Sequence, residues 1–168
     1  VGMDNIDVEY ARSVGISVIN TPAASSSSVA ELVFAHLYGG VRFLHESNRS
    51  MPLEGDNNFK KLKKAYAKGV ELRGKTIGII GFGKIGKETA KIAIGIGMNV
   101  LAYDKFLKET KITLDFMGGS SLDFEIKISP LEILLKKSDF ISLHVPAQNQ
   151  YVIDKKEFEL MKNGVGIV

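Results

Sequence analysis

The sequence predicts an α/β protein built on a doubly wound parallel sheet. Three observations carry that expectation. Strand-like runs alternate with helical periodicity from Leu72 onward, and a glycine-rich turn, Gly81-Phe82-Gly83-Lys84-Ile85-Gly86, lies between the first strand and helix. The next strand then ends on an acid, Asp104. Strands that alternate with helices wind a parallel sheet with helices on both faces. A G-x-G-x-x-G turn alone is weak evidence, because glycine is common. The complete order of strand, glycine turn, helix, strand and terminal acid is what a dinucleotide requires.

Taken from the start, Val1 to Asp7 reads as the exit from a strand. Val8 to Val14 reads as a short helix, and Ile16 to Ile19 as a strand beyond Gly15. Asn20-Thr21-Pro22-Ala23-Ala24 breaks the pattern, and Ser25 to Ser28 form a serine run. Ser28 and Glu31 have the spacing of a capping box that opens one long helix, Ser28 to Arg49. Val29, Leu32, Val33, His36, Leu37, Val41 and Leu44 share one face, while Phe34, Ala35 and Tyr38 make the other side apolar. A helix apolar around most of its girth is buried twice, so a second subunit is expected against it. His36 on that face reads as a core histidine. Residues 49–69 are polar and loop-like, with Lys60, Lys61, Lys63, Lys64 and Lys68 on a solvated short helix.

Thr76 to Ile80 is the first strand of the alternating region. In the glycine turn, Gly81 allows the tight exit, Gly83 lets main chain approach a pyrophosphate, and Gly86 lets the helix lie close to the sheet. Ile85, Thr89, Ile92, Ala93 and Ile96 have helical spacing, and Gly97 is the stop. The free N–H groups and positive dipole end of that helix suit phosphates, and Lys84 adds a mobile cation beside them. Val100 to Tyr103 leads to Asp104, whose carboxylate suits both ribose hydroxyls and repels a 2′-phosphate, favouring NAD over NADP. A third strand is expected near Ile126 to Ile128, a helix over Pro130 to Lys137 with Pro130 in its first turn, and a fourth strand over Asp139 to Val145. Lys155 to Lys162 reads as a helix. Val165 to Val168 begins a fifth strand, so this Rossmann-type sheet is expected to be truncated.

Composition sets bounds. The chain has 168 residues, enough for one domain or one domain plus a remnant. Its hydrophobic share of 45% and charged share of 24% are those of an ordinary globular protein. A net charge of +3 suits anionic small molecules, and no basic stripe interleaved with aromatics asks for nucleic acid. With no cysteine there is no disulfide framework, thiolate metal site or thiol nucleophile. No leader or membrane-length apolar run is seen, and a cytoplasmic protein without membrane or metal partners is the expectation.

The chain resembles the D-isomer-specific 2-hydroxyacid dehydrogenases, most closely the short form of D-3-phosphoglycerate dehydrogenase. The matching stretches are residues 2–7, 15–22, 28–32 and 71–81, then His144-Val145-Pro146 and residues 160–164. The resemblance implies that residues 1–22 are a remnant of a flavodoxin-like substrate domain and 23–168 an NAD-binding domain incomplete at its C-terminal end. It places Lys84 and Ile85, within the turn of Gly81, Gly83 and Gly86, at the pyrophosphate, Asp104 at the adenosine ribose, and His144-Val145-Pro146 along the adenine side. Val1 would fall where substrate-domain loop and cofactor meet, and Gly2 would offer an N–H to a substrate carboxylate. The segment Ala147-Gln148-Asn149-Gln150-Tyr151 departs from the family pattern, which has a longer, threonine-bearing loop there.

The implied chemistry is hydride transfer between C2 of a 2-hydroxy acid and NAD, with 3-phospho-D-glycerate oxidised to 3-phosphohydroxypyruvate in serine biosynthesis. Glycerate, lactate and formate are the alternative substrates. The family's arginine, acid and catalytic base follow the strand that begins at Val165, so no catalytic residue is assigned. The 168-residue chain alone is expected to be inactive, and the cofactor domain to form a homodimer. Two other readings use the same skeleton: an NAD-sensing corepressor-like interaction protein, and an oligomerisation fragment with a vestigial site.

Overall fold

The computed structural model describes residues 2–147 and 149–168. Six helices and six strands are assigned among them. They run α1 (Val8–Ser13), α2 (Ser26–Val41), α3 (Leu44–Tyr66), β1 (Thr76–Ile80), α4 (Lys84–Gly95) and β2 (Asn99–Tyr103). After these come β3 (Glu109–Asp115), β4 (Ser121–Lys127), α5 (Leu131–Lys137), β5 (Phe140–Leu143), α6 (Lys155–Leu160) and β6 (Gly166–Ile167).

The main sheet has the order β2-β1-β5-β6, and every pairing in it is parallel. The chain leaves β1 for β2 on one side and later returns to the other side with β5 and β6. That reversal opens a crevice at the carboxyl ends of β1 and β5, where ligands bind in open α/β sheets. The sheet is covered on both faces. Alternation along β1 sends Ile77 and Ile79 into a cluster with Val33, Phe34 and Leu37 of α2 and Ala90 and Ala93 of α4. Ile80 joins Leu134, Leu135 and Ile141 in a second cluster under α5. The doubly wound parallel sheet expected from the sequence is therefore observed.

At the opposite edge of the sheet, Asp139 joins three segments. One carboxylate oxygen accepts the Thr76 N–H at 2.8 Å, and the other accepts from Lys162 Nζ at 2.8 Å. Burial alone would raise the Asp139 pKa, but Lys162, the Thr76 N–H and Lys75 outweigh it and lower the value.

Helix α4 corrects the expected burial pattern. Its buried residues are Gly86, Thr89, Ala90 and Ala93, while Ile85 and Ile92 are half-buried. Small side chains on the inner face bring the helix close to both β1 and α2, which apolar periodicity alone does not reveal.

Several expected elements differ. Residues 16–19 form no strand. Ser28 and Glu31 make no capping box, because α2 begins earlier, at Ser26 after Ser25, and the serine run enters the helix. The single long helix is divided by Phe43, whose φ of 54° lies in the left-handed region. Helix α3 takes in most of the expected short lysine helix, but it also covers residues 49–59, read as loop-like, and carries Pro52 inside it. Only Leu62 of α3 is buried, so the helix lacks the apolar stripe by which a helix is recognised in sequence. His36 is exposed rather than in the core.

The largest difference lies after β2. In place of a third parallel strand, β3 and β4 form an antiparallel hairpin, paired from Glu109↔Lys127 to Asp115↔Ser121. The turn depends on Gly118 and Gly119, both at positive φ. Ile112, Phe124 and Ile126 point inward from the hairpin into the α2/α4 cluster. Only Ile128, bridging Ala102 in parallel, occupies the place expected of a third strand.

Candidate functional site

The site is built from the ends of three strands. At the end of β1 the chain turns at Gly81, whose φ is +92°. A Cβ there would lie 2.5 Å from the His144 carbonyl oxygen and 2.8 Å from Val145 Cγ1, so only glycine fits between the ends of β1 and β5. Phe82 follows with its side chain fully buried, which anchors the bend in the core. Its N–H donates to Asp104 Oδ2 at 2.9 Å.

Asp104 ends β2 and is organised by main chain. Oδ1 accepts from Phe106 N at 2.8 Å and from Leu107 N at 3.3 Å. Partial burial would raise its pKa, but the N–H donors of Phe106, Phe82 and Leu107 outweigh it and hold the carboxyl below its ordinary value. A carboxylate has about four acceptor directions, so three main-chain donors leave capacity for a ligand hydroxyl.

Gly83 differs from the other two glycines. Its φ is −74°, open to any residue, and a Cβ would meet nothing within 4 Å. Gly83 is the N-cap of α4, and among the described residues no atom fills the space beside it, so the main chain there is open to an external group. Gly86 is constrained from inside, since a Cβ would come within 2.3 Å of the Gly81 oxygen. Beyond Gly83, α4 starts without a side-chain cap, which leaves its first N–H groups and positive dipole end open to an anion. Lys84 is exposed and Ile85 half-buried in that first turn.

Just beyond β5, His144 joins the two layers. Its Nε2 is 2.9 Å from Ser142 Oγ and 3.2 Å from Thr89 Oγ1. The Thr89 hydroxyl also lies 3.0 Å from the Ile85 carbonyl, which ties His144 to the first turn of α4. Burial lowers the His144 pKa below its ordinary 6.5. Val145 is half-buried and Pro146 exposed beside it.

Gly81, Gly83, Lys84, Ile85, Gly86, Asp104, His144, Val145 and Pro146 thus come together at the switch point of the sheet. Gly2 is exposed beside the Asp4 carboxylate, and among the described residues no hydrogen bond ties it to this cluster. Val1 and Gln148, the latter in the segment that departs from the family pattern, lie outside the described residues. Sequence reading missed the roles of Phe82 and Thr89. Thr89 carried a signal, as a hydroxyl at an inward position of an apolar helix face.

A parallel sheet, a glycine bend at its switch point and an acid on the neighbouring strand define a dinucleotide-binding α/β protein. The family model described as D-isomer specific 2-hydroxyacid dehydrogenase, NAD binding domain, matches residues 34–168, and the chain belongs to that family. NAD is accordingly its cofactor, and the open space over Gly83 and the uncapped start of α4 fit a pyrophosphate. The chain is 41% identical to the hydroxypyruvate reductase of Thermotoga maritima, across 100% of this chain and 50% of that relative. It is 38% identical to the D-3-phosphoglycerate dehydrogenase of Methanocaldococcus jannaschii, across 100% of this chain and 30% of the relative. The apo D-lactate dehydrogenase of Escherichia coli superposes with a TM-score of 0.72 at 30% identity, covering 99% of this chain and 48% of that one. The chain spans half or less of the length of the relatives it matches.

Proposed function

We propose that this chain is the NAD-holding portion of a D-2-hydroxyacid dehydrogenase, with residues 23–168 as the cofactor domain and 1–22 as a remnant of the substrate domain. Gly81 to Gly86 would hold the pyrophosphate, Asp104 the adenosine ribose, and His144, Val145 and Pro146 the adenine side. The observation that carries this reading is the Asp104–Phe82 bond, which sets the ribose acceptor against the phosphate bend. NAD supplies hydride-accepting chemistry when bound; the chain's own residues bind, orient and exclude water.

For the intact cytoplasmic enzyme we propose 3-phospho-D-glycerate as substrate, oxidised to 3-phosphohydroxypyruvate, with Gly2 at the substrate carboxylate. The phosphoglycerate dehydrogenases of Methanocaldococcus jannaschii and Archaeoglobus fulgidus support this. The higher identity to a hydroxypyruvate reductase favours a second reading, reduction of a small unphosphorylated 2-oxo acid. The homodimer would form through α2, where Leu32 and Tyr38 are exposed. The 168-residue chain alone would not turn over.

Calorimetric titration with NAD and NADP tests the cofactor reading. Saturable binding of NAD in preference to NADP is expected, and no heat at millimolar NAD refutes it. Steady-state rates of the intact enzyme with phosphoglycerate, hydroxypyruvate and glyoxylate decide the substrate.

A further inference from the structure

A second cleft, of about 360 Å³, lies between the start of α2, the outer face of α4 and strand β3. Helical spacing places Lys84, Lys87, Glu88 and Lys91 on the α4 side, and the hairpin adds Lys111, Thr113 and Asp115. Lys84 is shared with the glycine turn, so the cleft's own lysines, Lys87, Lys91 and Lys111, stand against Glu88 and Asp115 and leave it positive by one. Lys91 is held by Glu88 at 3.0 Å, and Lys111 by Asp123 at 2.6 Å on the hairpin. Among the described residues, Lys84 and Lys87 make no ion pair.

The third wall is the start of α2, a helix of 16 residues. Its first turn contains no acid, and Ser25 at the N-cap makes no side-chain capping bond. Ser26 and Ser27 both line the cleft. Ser26 is only 4% exposed, yet its hydroxyl has no hydrogen-bond partner. Such a buried group normally finds one, and leaving it unmet is destabilising. Unpaired lysine, an uncapped helix start and an unsatisfied buried hydroxyl share one complementary ligand chemistry, a small oxyanion.

We propose that this cleft is a second anion site, which takes the phosphate group of a small molecule separately from the dinucleotide pyrophosphate. Ser27 and Ser28 N–H groups would donate from the helix start, Ser26 Oγ would gain its missing partner, and Lys87 would supply the charge. The hairpin completes the site, because Lys111 and Thr113 form its outer wall. Glu88 and Asp115 favour a singly charged or partly neutralised anion over a densely charged one.

The test follows the amide resonances of the chain by two-dimensional NMR. Inorganic phosphate and glycerol 3-phosphate are titrated against sodium chloride at matched ionic strength, with and without saturating NAD. Saturable shifts at Ser27, Ser28 and Thr113 that persist with NAD are expected, and the tighter of the two ligands identifies free phosphate or a phosphate monoester as the source. Lys87→Ala should weaken binding about twofold to fivefold, the scale of one partly exposed charge pair, and Glu88→Gln should strengthen it. Ser26→Ala removes the unsatisfied hydroxyl without enlarging the side chain and should also weaken it. Absence of saturation, equal shifts with chloride, indifference to all three substitutions, or competitive loss with NAD would each overturn the proposal. NAD binding itself is read in the same samples, so failure of the cofactor reading is seen separately.

Discussion

Asp104 at the end of β2 accepts the Phe82 N–H at 2.9 Å, so the acid and the glycine bend move as one unit. Phe82 is fully buried and Asp104 takes two further N–H groups from its own loop, so neither partner can shift without the other. The Asp104 carboxylate is thereby held beside the start of α4, as the proposed ribose contact requires. Asp104→Asn keeps the shape but removes the charge and puts an amide NH₂ where an acceptor oxygen stands. NAD affinity should fall about tenfold to a hundredfold, the range of one or two charge-assisted hydrogen bonds. NADP should lose less, because the repulsion of its 2′-phosphate is also gone. Calorimetry with both dinucleotides checks this, and an unchanged NAD/NADP ratio would sink it.

Two glycines of the bend should respond in opposite ways. At Gly81 a methyl group meets the His144 carbonyl at 2.5 Å on a residue already at φ +92°. Gly81→Ala should therefore destabilise the fold by about 2 kcal/mol or more, combining backbone strain with a steric clash. At Gly83 a methyl group meets nothing, and φ is ordinary. Gly83→Ala should change the melting temperature little, since restriction of the unfolded chain offsets the poorer N-cap that alanine gives α4. Its NAD affinity should nonetheless drop by about tenfold, because the methyl fills the space over the pyrophosphate. Melting curves and titrations on the two variants separate the roles.

The site was far more legible in the sequence than the surrounding fold. The glycine spacing and Asp104 are local signals, and each has a physical reason that survives without knowledge of the rest. Strand β1 and helix α5 matched their expected spans closely because buried apolar runs and proline are strong markers. The hairpin was missed because Thr110, Ile112 and Leu114 alternate over too short a stretch, and Gly118-Gly119 was not read as a turn. The continuity of α3 was missed, with only its two ends read as helical, because it buries a single residue and carries Pro52.

His144 should make the fold sensitive to mild acid. Burial lowers its pKa below the ordinary 6.5, so across the interval beneath that value the unfolded chain binds more protons than the folded one. Stability is then complete above 6.5 and is lost as the pH falls through it toward the folded value. Protonation also places a charge at Nε2, which lies within hydrogen-bond distance of Ser142 and Thr89. The melting temperature should decline between about pH 7.5 and pH 5.5, a window in which unperturbed carboxylates do not titrate. In His144→Asn, which has no titrating group, the decline should flatten. An identical slope in both proteins would show that another group is responsible.

The outer side of α2 carries the prediction about assembly. Ala30, Val33, Phe34 and Leu37 are buried against the sheet side, yet Leu32 remains 56% exposed and Tyr38 41%. Leu44, at the start of α3, is 54% exposed. Isolated exposed apolar residues are ordinary, but Leu32 and Tyr38 lie about 120° apart around α2, so with Leu44 they leave more than one side of the helix pair apolar and exposed. Because Leu32 and Tyr38 face away from the core, Leu32→Glu and Tyr38→Glu leave the packing of α2 intact. Sedimentation at micromolar concentration should show a dimer for the unaltered chain and a monomer for the double variant, with the melting curve of the isolated fold otherwise retained. A burial of roughly 800 Å² per subunit is the usual scale of a stable interface, and two charges at its centre cost several kcal/mol. A monomeric unaltered chain, or a double variant that still dimerises, would place the subunit contact elsewhere or remove it.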